Sequence, residues 1–264
     1  MKRMTDRSVA AGALLALLLT GCDGARSPSP SESGSPVAAS PVPAPPSPSP
    51  SATPPKPDLA ACPKLERSTE DGLLERDKPL PIPSAFTGIM TADMNHFAVA
   101  TLSGKTICVD VRWAEHIESI RPSRDQRFLG IEWMGYEAFG FVVVDRAGRG
   151  DQIETGTAPV WSSSGRRLAA VDLSESGFGE LNAFAVWDVT PAGFKQVATV
   201  SDDPLPRGDW RMGPWRGETC VSLSLVPSDR EPEQASDMAK APRDTWFAAA
   251  ANSWKPQPGT CPQQ

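Results

Sequence analysis

Between residues 97 and 226 the apolar side chains come in short runs, each closed by small or polar residues before the next begins. Residues 97–102 precede Ser103-Gly104-Lys105, residues 106–111 follow, and residues 139–145 run into Ala147-Gly148. Residues 116–120, 128–133, 167–173, 183–189, 196–200 and 220–226 have the same character. Runs of this length, rich in β-branched and aromatic residues and bounded by turn formers, read as strands. No helical periodicity of useful length competes before residue 230, and residues 230–243 read as a surface loop with one helical turn at most. The expected fold class is therefore all-β over residues 59–264.

The strands repeat. Ser123-Arg124-Asp125-Gln126-Arg127-Phe128 lies over Ser162-Ser163-Ser164-Gly165-Arg166-Arg167 at a shift of 39 residues, and Phe141-Val142-Val143-Val144-Asp145 falls on Phe184-Ala185-Val186-Trp187-Asp188. Weaker copies start at Thr91 and Trp215. A polar turn, a strand packed between neighbours and an outer strand ending in aspartate make a blade-like unit when repeated near this period. The segment from Pro159 through Trp161, Gly165 and Arg166 to Ala169 resembles the blade motif of the WD-like propellers typified by the periplasmic Tol translocation protein. It departs from that motif at Ser163-Ser164, where the motif has Pro-Asp, and Gln126 stands where the preceding copy would have glycine. The resemblance implies a β-propeller-like repeat of four to five short antiparallel blades. A β-sandwich with coincidentally similar hairpins is the alternative.

Two segments precede this domain. Lys2, Arg3 and Arg7 lead into an apolar run ending at Leu19. A bilayer crossing needs about 20 apolar residues, so a shorter run after a basic start reads as an export signal. Leu19-Thr20-Gly21-Cys22 resembles the lipobox of bacterial lipoproteins. That resemblance implies cleavage between Gly21 and Cys22, a diacylglycerol thioether on Cys22, and the membrane as a partner through the anchor. Asp23 resembles the inner-membrane retention signal of enteric-type lipoproteins. The expected organisation is a signal peptide at 1–21, a lipidated cysteine and disordered Pro/Ser/Ala-rich linker at 22–58, and a β-rich extracytoplasmic domain at 59–264. A proline-rich linker of this kind is a semi-rigid spacer, extending roughly 100 Å at most at about 3.1 Å per residue.

Removing residues 1–21 takes the formal charge from -6 to -8. An acidic chain without a basic cluster lacks the face that exchanges for counterions on nucleic acid, so no nucleic-acid partner is expected. With Cys22 assigned to lipid, Cys62, Cys108, Cys220 and Cys261 remain. An even number in an oxidising compartment favours two disulfides, with three connectivities open. Pairing Cys62 with Cys108 and Cys220 with Cys261 is preferred, because each closes a loop of about 40 to 50 residues; a bridge joining the termini is the rival. No Cys-x-x-Cys pair occurs, and His96 and His116 are far from any ligand spacing, so neither metal nor cofactor is expected.

Catalytic motifs are absent: there is no Gly-x-Ser-x-Gly elbow. His96 reads as structural or exposed, and alternation puts His116 with Glu118 on a solvated face. The most suggestive stretches are Glu132-Trp133-Met134-Gly135-Tyr136-Glu137 and the segment from Asp172 to Phe178, read as equivalent inter-strand loops pairing carboxylates with aromatics. Trp133, Tyr136 and Phe178 are the expected contact aromatics of a binding surface, and Glu132, Glu137 and Asp172 its carboxylates. The expectation is a non-enzymatic binding or scaffold module of the cell envelope, with a protein or glycan partner. The alternative is a carboxylate-dependent enzyme acting on cell-wall glycan or peptide.

Overall fold

The computed structural model describes residues 56–65, 76–135, 138–172, 183–201 and 205–263. The signal, Gly21, Cys22 and nearly all of the linker lie outside them. The described chain is all-β, and its only helical turns are short 3-10 segments such as Ser228–Arg230 and Ala235–Lys240 in the stretch expected to be a loop. No helix of the described residues is long and apolar enough to cross a membrane.

Four antiparallel meanders follow one another along the chain, rather than the two facing sheets of a sandwich. The first contains β1 (Met90–Ala92), β2 (His96–Ala100) and β3 (Thr106–Asp110). The second contains β4 (His116–Pro122), β5 (Phe128–Gly135), β6 (Ala138–Asp145) and β7 (Asp151–Glu154). The third contains β8 (Val160–Trp161), β9 (Arg167–Asp172), β10 (Ala183–Thr190) and β11 (Gly193–Val200). The fourth contains β12 (Gly208–Arg216), β13 (Cys220–Pro227), β14 (Asp244–Ala249) and β15 (Gln257–Pro258). Within each sheet every strand pairs with its neighbour in sequence, the arrangement that short connections favour.

Each gap between successive sheets has its own apolar cluster. Phe97, Val99, Leu129, Ile131 and Val142 pack between the first and second. Leu168, Ala170, Ala185 and Trp187 meet Ile153 between the second and third. Ala169, Val171, Val186, Trp210, Leu223 and Trp254 fill the space between the third and fourth. Among the described residues no cluster joins the fourth sheet back to the first.

The repeat has a hydrogen-bonding basis. In the β4–β5 turn, Ser123 N–H donates to Phe128 O (2.9 Å), Gln126 N–H to Ser123 O (2.9 Å) and Phe128 N–H to Ser123 Oγ (2.9 Å). The β8–β9 turn repeats all three, with Ser162 to Arg167 O (2.9 Å), Gly165 to Ser162 O (2.9 Å) and Arg167 to Ser162 Oγ (3.1 Å). The copy at Trp215 is the β12–β13 turn, at the equivalent place in the fourth sheet. The copy at Thr91 is not equivalent. It is a shorter turn in which Asp93 N–H donates to His96 O, at the opposite end of its sheet from Ala100, where the first sheet meets Arg146. The first-sheet counterpart is the turn after β2, where Thr101 N–H donates to Lys105 O and Thr101 Oγ1 accepts from Lys105 N–H.

Arginines at the end of the sheets that carries these turns stitch each meander to the next. Buried Arg146 donates from Nε to Ala100 O in the first sheet (2.7 Å). Arg127 forks onto Asp145 (2.9 and 2.6 Å) and reaches Thr190 O in the third sheet. Arg167 pairs with Asp188 (2.7 Å) and reaches Glu218 O in the fourth. Two disulfides, Cys62–Cys108 and Cys220–Cys261, staple the ends of the described domain to β3 and β13.

Candidate functional site

A cleft of about 1320 Å³ opens between the second and third sheets, with the two repeat turns as its lips. Alternation explains its walls. On β5 and β6, Leu129, Ile131, Val142 and Val144 face the first sheet, which turns Phe128, Gly130, Phe141 and Val143 toward the third. Gly130 is required there, because a Cβ would fall 2.5 Å from the Phe141 ring. Opposite stands Trp161, its ring centroid 4.8 Å from that of Phe128.

The lips are polar and mostly cationic. Arg121, Arg124, Arg127 and Arg166 line the cleft, and Asp125 is the only acid among its lining residues. Arg127 is engaged by Asp145, whose hydrogen bond raises the guanidinium above its ordinary pKa. It also lies over the Phe128 ring, 4.7 Å from the centroid. Arg121 pairs with Glu132 at 2.6 Å. Arg124 and Arg166 are exposed and take part in no ion pair among the described residues; Arg166 Nε donates to Ser164 Oγ (3.1 Å). A hydrogen bond from Ser123 Oγ, then one from the Arg127 N–H, hold the Asp125 carboxyl below its usual range.

Three of the six residues expected to form a surface are described. Glu132 accepts from Arg121 and from Ser119 Oγ (2.8 Å) on β5, on the face turned toward the third sheet. Trp133 is the next residue along β5. Its side chain lies on the opposite face, half-buried against the first core cluster, and its ring occupies the space a Cβ at Gly140 would take. Asp172 is buried at the end of β9, pressed against Gly156, where a Cβ would fall 1.8 Å from its Oδ2. Neither Glu132 nor Asp172 lines the cleft. Tyr136, Glu137 and Phe178 lie outside the described residues. The stretch expected as a loop is mostly strand, because Gly135 pairs with Ala138 across the β5–β6 hairpin. The exposed apolar side chains there are Met134 and Phe139, directly opposite one another.

The histidines are peripheral to the cleft. His116 and Glu118 are exposed, with Nε2 and Oε1 2.6 Å apart. His96 is buried, its Nδ1 3.4 Å from Asp93 Oδ1. Burial pushes the Asp93 carboxyl up, but hydrogen bonds from the Asn95 and His96 backbone outweigh it and leave the group below its usual range. No cluster of three or more His, Cys, Asp and Glu side chains suited to a metal occurs among the described residues.

The arginines and Trp161 were present in the repeat read from sequence, but as turn and blade residues. Their assembly into one cleft depends on two turns 39 residues apart meeting across a sheet gap. No protein-family model matches the chain, and no curated protein matches its sequence.

Proposed function

We propose that this chain is a lipid-anchored, extracytoplasmic binding module of the cell envelope. Its four meanders act as blade-like sheets of a propeller-like array, the proline-rich linker gives them reach, and the cleft between the second and third sheets takes the ligand. The cleft is the observation that carries the binding reading. It combines an aromatic floor with four guanidinium groups at its lips, the mixture of apolar area and a few oriented polar groups that ligand sites use. The anchor rests on Leu19-Thr20-Gly21-Cys22, and two disulfides favour an oxidising compartment. The partner is a protein or glycan of the envelope.

Cells expressing the chain and fed labelled palmitate should yield labelled protein in the membrane fraction. Cys22→Ala should abolish the label. An unlabelled wild-type chain with its leader intact in the cytosol would remove the anchor from the proposal. A pull-down from solubilised envelopes should enrich one partner and lose it on Arg124→Ala. If instead no partner is retained and wall fragments are turned over in a manner abolished by Glu132→Gln or Glu137→Gln, the carboxylate-dependent enzyme replaces this reading.

A further inference from the structure

We infer that the cleft recognises an anionic glycan, a sugar polymer bearing carboxylate or phosphate groups. The inference rests on the binding reading above and names its ligand class.

Charge is the first argument. The chain is acidic overall, yet the cleft lining holds four arginines against one aspartate. Two of those arginines are spent internally, Arg127 on Asp145 and Arg121 on Glu132. Arg124 on one lip has no partner among the described residues, and Arg166 on the other is exposed, held by Ser164 Oγ and near enough to Glu218 to help hold that carboxyl low, without a direct ion pair. Guanidinium groups match carboxylate and phosphate oxygens in bidentate geometry, and such charge-assisted bonds are the stronger kind. An oxyanion-bearing polymer lying along the cleft would meet one guanidinium from each sheet.

The floor supplies the second argument. Half-buried Phe128 and Trp161, packed on one another at 4.8 Å, line the floor between the lips above buried Phe141, and the aromatic surface they leave open can cover apolar faces of a ligand at small entropic cost. An acidic peptide could use the same charges, but its usual route to a sheet is strand addition. That route is obstructed here. The β8 edge is two residues long, its Val160 carbonyl already accepts from Trp215 Nε1 (2.9 Å), and Pro122 and Pro159 at the cleft wall have no N–H to give. Along the β8 wall recognition is left to side chains, which suits a charged sugar chain.

The test uses the full mature chain, purified in detergent, titrated calorimetrically with four probes: polygalacturonate, phosphomannan, neutral dextran and poly-L-glutamate. The expected result is binding to one or both charged glycans, with the carboxylated and phosphorylated arms showing which oxyanion is preferred, and none to dextran. Arg124→Ala and Arg166→Ala should each weaken that binding about 10-fold or more, the factor expected for losing a hydrogen bond to a charged group. Raising the salt should weaken the wild type more than the double variant. Trp161→Phe, which keeps an aromatic ring in the core, should weaken binding less than Trp161→Ala while both retain the wild-type circular dichroism. Equal binding of dextran, tighter binding of poly-L-glutamate, or indifference to both arginine substitutions would overturn the inference. Silence with all four probes also overturns it. If the pull-down still enriches an Arg124-dependent protein, the binding module stands without its glycan.

Discussion

Gln126 and Gly165 occupy the same step of the repeated turn and hold the backbone in the left-handed region, at φ 58° and 69°. That conformation costs a side-chain-bearing residue about 1 kcal/mol or more, and glycine is spared it. Gln126→Gly should therefore raise the thermal unfolding midpoint modestly, while Gly165→Ala, with no neighbour near its Cβ, should cost about 1 kcal/mol by near-UV circular dichroism melts. The two repeat aspartates separate in the same way. Asp145 is fully buried beneath Arg127, whereas Asp188 is a third exposed beside Arg167. Asp145→Asn should cost about 3 kcal/mol and Asp188→Asn about 1 kcal/mol or less, as expected for breaking a buried and a screened pair. Glu218 gives the pH dependence. Burial raises its carboxyl, but hydrogen bonds from Ser164 and Ser162 outweigh that and leave it below its usual range. A carboxyl lowered by folding contributes stability above the ordinary glutamate range and loses it as the pH falls through the folded value. Glu218→Gln should be less stable at neutral pH by a few tenths of a kcal/mol, with a flatter acid limb in a pH series of urea titrations.

At the scale of strands, legibility followed side-chain chemistry. β2, β5, β6, β9, β10 and β13 were visible as apolar runs because they are buried inside their sheets. β7 reads Asp-Gln-Ile-Glu, an edge strand with little to bury, and β8 is too short for any pattern. β12 carries Gly213-Pro214 at its centre. The ladder tolerates them because the register shifts between Met212 and Trp215, so the missing N–H falls at the irregularity. β14 ends in alanines that carry no strand signal, yet they are paired by β13 from Cys220 onward. The disulfides make these marginal ends hold. With sequence separations of 46 and 41 residues, the chain-entropy estimate credits each with about 4 kcal/mol. Cys220→Ser with Cys261→Ser should lower the unfolding free energy from urea titration by a comparable amount, and the loss should be larger than that of any single edge-strand substitution.

The whole described domain is an open run of four sheets whose neighbours share cores and arginine stitches. Such sharing makes the sheets depend on one another, so fluorescence from the eight tryptophans and far-UV circular dichroism should report one coincident unfolding transition. The site was less legible than the fold. Sequence directed attention to the hairpin around Glu132 and Trp133 because carboxylates and aromatics adjoin there, but strand alternation sends those two side chains to opposite faces. The cleft was not legible because Arg166 stands 39 residues or more from Arg121, Arg124 and Arg127, and they read as turn residues. One further property follows from the first staple. Cys62 is bonded to β3 at Cys108, and the Asp58 N–H reaches Thr106 Oγ1 on the same strand. A tug arriving from ahead of Lys56 is therefore passed straight into β3 through covalent sulfur, like a rope made fast to a cleat. That covalent path bypasses the residues between the two cysteines, β1 and β2 among them.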